Sequence, residues 1–303
     1  MCDPLACDLR PPRALAGRAR RPPGYGRASR VGLPTALLAV LASTAIGWAS
    51  ARAGVLAGQG FQGPDLERFL KEGRIVDEPQ PARLDGEAGR LTLSLDGQFY
   101  EVRWLTIDLV PSGLLSADPR RPRSDLGDTY RAECAAYELD RLLGLGMVPA
   151  TIERVISGTR SALAIDVAPA LDDAERLVLG IQAPNPEAFT QQRLKVELFD
   201  NLIYNSERRP ETILVTEDWQ IRLVGHTRAF RLTATLNNPD GLTRFSTSLL
   251  AAAQRLDEPT LRRKLDRFVS IWQIRALLER RDRIVALARA MAATHGSTAV
   301  YYR

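Results

Sequence analysis

The segment from Asp128 to Gly144 constrains this chain more than any other. Tyr130, Cys134, Tyr137 and Leu139 through Leu143 recur near helical spacing, so one side of a helix is apolar and needs a surface to cover it. Asp128 or Thr129 caps its start, and Gly144 or Gly146 ends it. On both sides the period drops to that of a strand. Leu91-Thr92-Leu93-Ser94-Leu95 alternates apolar and polar, Asp96-Gly97 signals a hairpin, and Phe99 to Ile107 returns. After the helix, Val148 to Ile156 is strand-like, Ser157-Gly158 turns, and Ser161 to Val167 comes back. The expectation is a small sheet carrying one helix. Asp65 is placed to cap a short helix running through Leu70 and Lys71, and Pro111 to Leu126 reads as a loop. A second long helix covers 187–205, a hairpin covers 213–224, and beyond Asn237 only helices are expected, near 243–255, 258–267 and 271–293. No internal repeat is present. Mixed sheet followed by helices is an α+β pattern.

The net charge of +5 does not describe the folded part. Residues 1–30 hold seven Arg and two Asp, residues 31–51 hold no charge, and the remainder balances. A nucleic-acid interface needs a basic patch on the folded domain, and the charge balance supplies none. Arg30 and Arg52 bracket Val31 to Ala51, an apolar stretch ending Trp48-Ala49-Ser50-Ala51. A basic region, an apolar core and a small-x-small end make a secretory signal, with cleavage after Ala51. The same stretch is long enough for an uncleaved anchor, since about 20 apolar residues span a bilayer; Ala49-Ser50-Ala51 favours cleavage. Of Cys2, Cys7 and Cys134, cleavage leaves Cys134 alone, so no internal disulfide is expected. His226 and His295 are the only histidines, which excludes a zinc pattern.

The strip from Tyr204-Asn205-Ser206-Glu207-Arg208-Arg209-Pro210-Glu211-Thr212 to Leu223-Val224-Gly225-His226-Thr227-Arg228-Ala229-Phe230 resembles the catalytic strip of a bacterial branch of the kinase-like superfamily. That branch is related to phosphoinositide-kinase-like and secretory-pathway (Golgi casein kinase type) kinase domains. Its strip reads approximately Y-N-[ST]-D-R-N-x-G-N, a short strand, then I-D-H-[ST]-R-A-F. Asp128-Thr129-Tyr130-Arg131-Ala132-Glu133-Cys134-Ala135-Ala136-Tyr137-Glu138-Leu139-Asp140 is similar to the family's helix, D-S-Y-x-x-E-x-A-A-Y-x-L-D. The resemblance runs over residues 65–293.

Kinase chemistry is mainly positioning and charge neutralisation by a strand Lys, a helix Glu, a catalytic Asp, and an Asn and Asp that hold metal. The resemblance places Glu133 on the helix Glu, facing the cleft. Trp104 falls on the strand Lys, and a one-residue slip puts Arg103 there instead; neighbouring strand residues face opposite sides. Glu207 falls on the catalytic Asp, one methylene longer. Thr212 falls on the metal Asn, Glu211 on a loop Gly, and Gly225 on the metal Asp, where no side-chain oxygen is available. His226 follows as in the family and reads as a hydrogen-bonding structural residue. Asp200 is placed either to pair with Arg228 or to cap the loop backbone.

Packing positions thus match while cleft positions depart. The resemblance implies a two-lobed protein-kinase-like fold: residues 1–51 a signal or anchor, 52–64 a linker, 65–168 an N-lobe of sheet plus helix, 169–295 a mostly helical C-lobe, and 296–303 a tail. The function it implies is an exported pseudokinase, periplasmic or secreted, binding or regulating an unknown protein partner, with membrane attachment through 31–51 the alternative to cleavage. No cofactor is expected, and no metal at Thr212 and Gly225. The competing reading is an active phosphotransferase or nucleotidyltransferase using Glu207 and Glu133, with ATP and Mg²⁺ or Mn²⁺. Glu211, Thr212, Asp218 and His226 would complete that rebuilt cleft, because fold does not fix reaction. A third reading puts the partner surface on the C-terminal helices.

Overall fold

The computed structural model describes residues 63–77, 88–109, 127–167 and 170–303. The signal or anchor expected at 1–51, most of the 52–64 linker and the 111–126 loop lie outside the described residues. Among the described residues no helix is long and apolar enough to cross a membrane.

Helix α1 (Pro64–Glu72) starts from Gly63 with Pro64 in its first turn. Asp65 is therefore inside the helix rather than at its cap, where its charge still favours the helix N-terminus. Strands β1 (Arg74–Ile75), β2 (Gly89–Leu95), β3 (Gln98–Leu105), β6 (Thr151–Ile156) and β7 (Thr159–Ile165) form one antiparallel sheet in the order β1-β2-β3-β7-β6. Both of its tight hairpins turn on two residues at positive φ, Asp96 with Gly97 and Ser157 with Gly158. Such turns match the twist of the flanking strands. Short strands β4 (Asp108–Leu109) and β5 (Asp128–Thr129) pair with each other and lead into α2 (Tyr130–Leu143). Thr129 caps α2 by accepting from the Arg131 N–H, and Gly144 closes it at φ 63°. The carboxylate of Asp140, fully buried, then accepts the backbone N–H groups of Gly146, Met147 and Val148, which fixes the exit toward β6.

Register assigns side chains to the two faces of the sheet. Leu91, Val102, Trp104, Leu163 and Ile165 share one face, and Phe69 of α1 packs edge-on against Tyr100 of the same face. Arg90, Arg103, Leu105, Ala162 and Ala164 share the other. Leu105 and Ala162 there meet Tyr130 and Cys134 of α2. Cys134 is buried and free, and burial pushes its thiol pKa up.

The second half begins with β8 (Ala170–Asp172) and α3 (Asp173–Val178), neither foreseen from the sequence. Helix α4 (Pro186–Ile203) is capped by Asn185 and closed by Tyr204 in the left-handed region. Strands β9 (Ile213–Thr216) and β10 (Ile221–Leu223) form the expected hairpin, and β8 adds to its edge. The remaining helices are α5 (Thr247–Gln254), α6 (Glu258–Leu265), α7 (Ile271–His295) and α8 (Ser297–Val300). The stretch beyond Asn237 is not purely helical. β11 (Phe245–Ser246) pairs in parallel with β12 (Tyr301–Tyr302), so the 296–303 tail folds back onto the domain. At the centre, Arg280 of α7 is fully buried and donates to the carbonyls of Leu202, Arg231 and Thr233.

Candidate functional site

The strip begins where α4 ends. Tyr204 takes φ 54° and throws the chain out of the helix, and Asn205 follows with its amide donating to Asp200 and to the Gly225 carbonyl. Arg208 organises the loop. Its guanidinium grips Asp200 with two bonds, 2.8 and 2.9 Å, and donates to the Thr212 carbonyl and hydroxyl and to the Val224 carbonyl. A planar fork suits a carboxylate held by two parallel bonds. Neither partner expected for Asp200 is the one it has. Arg228 instead donates to Asp128 at 2.9 Å and to Glu207 at 2.7 Å. The path of the loop brings Arg208 to Asp200 in place of Arg228.

Glu207 lies half exposed, held by Arg228, with Arg231 at 4.0 Å. Thr212 and Gly225, the two positions the resemblance assigns to metal, stand against each other. A Cβ built on Gly225 would come within 2.8 Å of the Thr212 methyl. Thr212 is not free to turn away, because its hydroxyl donates to the Arg209 carbonyl at 2.8 Å and accepts from the Arg209 N–H and from Arg208, each at 3.2 Å. These residues do not fit a divalent cation. Mg²⁺ wants carboxylate oxygens in near-octahedral array; here one position has no side chain and the other has a hydroxyl already spent. Among the described residues no group of three or more His, Cys, Asp or Glu stands close enough to hold a metal. Asp218 sits in the β9–β10 turn bonded to Thr216, and Glu211 is exposed, so neither replaces the missing oxygen beside Gly225.

Glu133 is buried, and its partner is His226. The His226 backbone N–H donates to one carboxylate oxygen at 2.6 Å, and Nδ1 meets the other at 2.9 Å. Burial alone would raise the Glu133 pKa; the charge and hydrogen bonds of His226, helped by the charge of Arg103, hold it low, at about 2. An ionised carboxylate accepts, so Nδ1 carries the proton. Nε2 of His226 is buried without a partner among the described residues, and Phe199 packs edge-on against the ring. The pair joins the helix of the first half to the strip of the second, 93 residues apart. The sequence showed both residues and gave no signal for their contact.

Sheet register separates the two candidates for the strand position. Arg103 lies on the face with Leu105, and its charge is felt at Glu133. Trp104 points to the opposite face, packed against the core, with its indole N–H buried and unpartnered among the described residues. The arrangement therefore brings together Glu133, His226 and the charge of Arg103, and separately Thr212 with Gly225 and Glu207 with Arg228.

No family model matches the chain, and no curated protein matches it by sequence. Solved structures do. The Golgi casein kinase structure aligns at a TM-score of 0.52 with 11% identity, covering 78% of this chain and 76% of that one. The Helicobacter pylori proinflammatory kinase CtkA aligns at 0.49 with 13% identity, over 74% of this chain and 97% of that one. Sheet with α1 and α2 on one side of the strip, helices on the other: the chain has a two-lobed α+β kinase-like fold.

Proposed function

We propose that this chain is a kinase-fold protein that does not transfer phosphate and serves as a binding or regulatory domain for a protein partner. One observation carries the reading: Thr212 fills the space beside Gly225 that a metal-binding side chain would need. The Glu133–His226 pair supports it, because the helix carboxylate takes its hydrogen bonds from His226 and not from a strand lysine. The sequence relation to phosphoinositide-kinase-like and secretory-pathway domains belongs to the same proposal, as does export through residues 31–51, by cleavage or as an anchor. Partners outside the cytoplasm also fit a domain with no use for ATP.

The test is a phosphotransfer assay on the full-length protein with labelled ATP and Mg²⁺ or Mn²⁺, alongside thermal melts with nucleotide and metal. The expected result is neither labelled product nor nucleotide hydrolysis, and no metal-dependent shift. A ligand at a hundred times its Kd adds about 2.7 kcal/mol of stability, so real binding would be visible. Turnover that disappears in Glu207→Ala would overturn the proposal in favour of a rebuilt active cleft.

A further inference from the structure

The loop that carries Glu207 has a second role. Both neighbours of Glu207, Ser206 and Arg208, line a cavity of about 280 Å³, and Glu207 does not. The opposite wall is one face of α4, where Arg193, Glu197 and Asp200 follow one another at helical spacing. Arg209, Asn201, Asn205, Asn237 and Asn238 add to the polar lining.

The charges in this wall do not cancel. Asp200 is neutralised by Arg208. Arg193 shares the carboxylate of Asp173 with Arg176, so two guanidiniums meet one acid. The Arg209 guanidinium has no hydrogen bond or ion pair among the described residues, whereas its backbone is fixed by Thr212. Glu197 is the one opposing carboxylate, and it accepts from the Asn238 amide. Donors on Arg193, Arg209 and Ser206 remain unspent. So do two acceptors, the side-chain oxygens of Asn205 and Asn237, whose amide nitrogens are both engaged.

We infer that this cavity is a binding site for a phosphate monoester. Guanidinium forks recognise phosphate oxygens in pairs. The Asn oxygens call for a donor as well, and a singly protonated phosphate carries a P–OH that supplies it. A carboxylate has no such donor, and a neutral sugar leaves the positive charge unanswered. The space holds several water volumes of roughly 30 Å³ each, enough for the phosphate and the first atoms of its ester. A ligand seated there would lie against the same Arg208 and Asn205 that hold the Val224 and Gly225 carbonyls. Binding would stiffen the strip, whether or not the cleft transfers phosphate.

The experiment is thermal melting and calorimetric titration of the full-length protein with O-phosphoserine, inorganic phosphate and sulfate, at constant ionic strength in chloride. At pH 6, near the second pKa of a phosphate monoester at about 6, the expected result is a saturable rise in Tm with phosphoserine or phosphate and a weaker one with sulfate, which carries no proton there. Arg209→Ala, at an exposed position, is expected to weaken binding at least tenfold. Arg255→Ala, an exposed arginine at the end of α5, is expected to leave it unchanged. Tighter binding of phosphoserine assigns a phosphorylated side chain; tighter binding of inorganic phosphate assigns the free ion. The inference fails if no saturable binding occurs, if Arg209→Ala binds like wild type, or if Arg255→Ala loses as much.

Discussion

Gly225 is the residue at which strain and space can be separated. Its φ of +77° lies where side chains other than Gly, Asn or Asp rarely go, and its missing Cβ would strike the Thr212 methyl. Gly225→Asp is therefore expected to cost roughly 2–3 kcal/mol, combining backbone strain with overpacking. Thr212→Ser removes the offending methyl and keeps the hydroxyl that Arg208 and Arg209 hold. The double variant should recover at least half of the loss. Urea unfolding of both single variants and the pair would show this as a coupling of about 1 kcal/mol or more. Strictly additive losses would mean that Thr212 is not what occupies the site. Identity at 212 and 225 was readable from the sequence, because each sits at a fixed offset in the strip. Their contact was not, since it depends on how the β9–β10 hairpin returns the chain.

Elements whose partners are near in sequence were legible, and elements whose partners are distant were not. Helix α2 announces itself through Thr129, Gly144 and its own apolar stripe, and the two tight hairpins through Asp96-Gly97 and Ser157-Gly158. Strand β8 exists because Leu171 pairs with Val215, and β12 because Tyr301 pairs with Phe245. Neither short segment carries a period of its own. The β12 contact is substantial. Tyr302 is buried, donates its hydroxyl to the Gln191 carbonyl at 2.9 Å, and lies under Arg244. Deleting residues 301–303 is expected to cost about 3 kcal/mol, as removal of a buried aromatic does. Tyr302→Phe should cost about 1 kcal/mol, for the hydrogen bond alone. Thermal melts of the two variants should fall in that order, and an unchanged Tm for the deletion would show that the tail contributes nothing.

For the whole molecule, the Glu133–His226 contact is the polar link between the lobes with the clearest signature in solution. Folding lowers the Glu133 pKa from an ordinary 4.5 to about 2, so the unfolded state binds more protons between those values. The stabilisation is thus fully present above pH 4.5 and is lost as pH falls toward 2. At 1.36 kcal/mol per pKa unit it amounts to about 3 kcal/mol at most. Glu133→Gln should be less stable at neutral pH and should lack this part of the acid slope. Tm measured against pH for both proteins checks it; parallel curves would place the acid sensitivity elsewhere. The α+β order of sheet and then helices was legible from the periods, and the two lobes from the resemblance. The clasp was not, because a carboxylate on a helix and a histidine on a distant strip give no pattern of their own.

Buried Arg280 has a consequence of another kind. Its cation is shielded from water and is answered by the carbonyls of Leu202, Arg231 and Thr233, which belong to the end of α4 and to the chain just past Phe230. To swing that chain outward would strip two carbonyl partners from a buried charge, at a cost of several kcal/mol. The chain just past Phe230 is therefore not a segment that flips to answer a signal. A partner that touches it meets a stretch of surface already set, so specificity there comes from the visitor's own shape and charge.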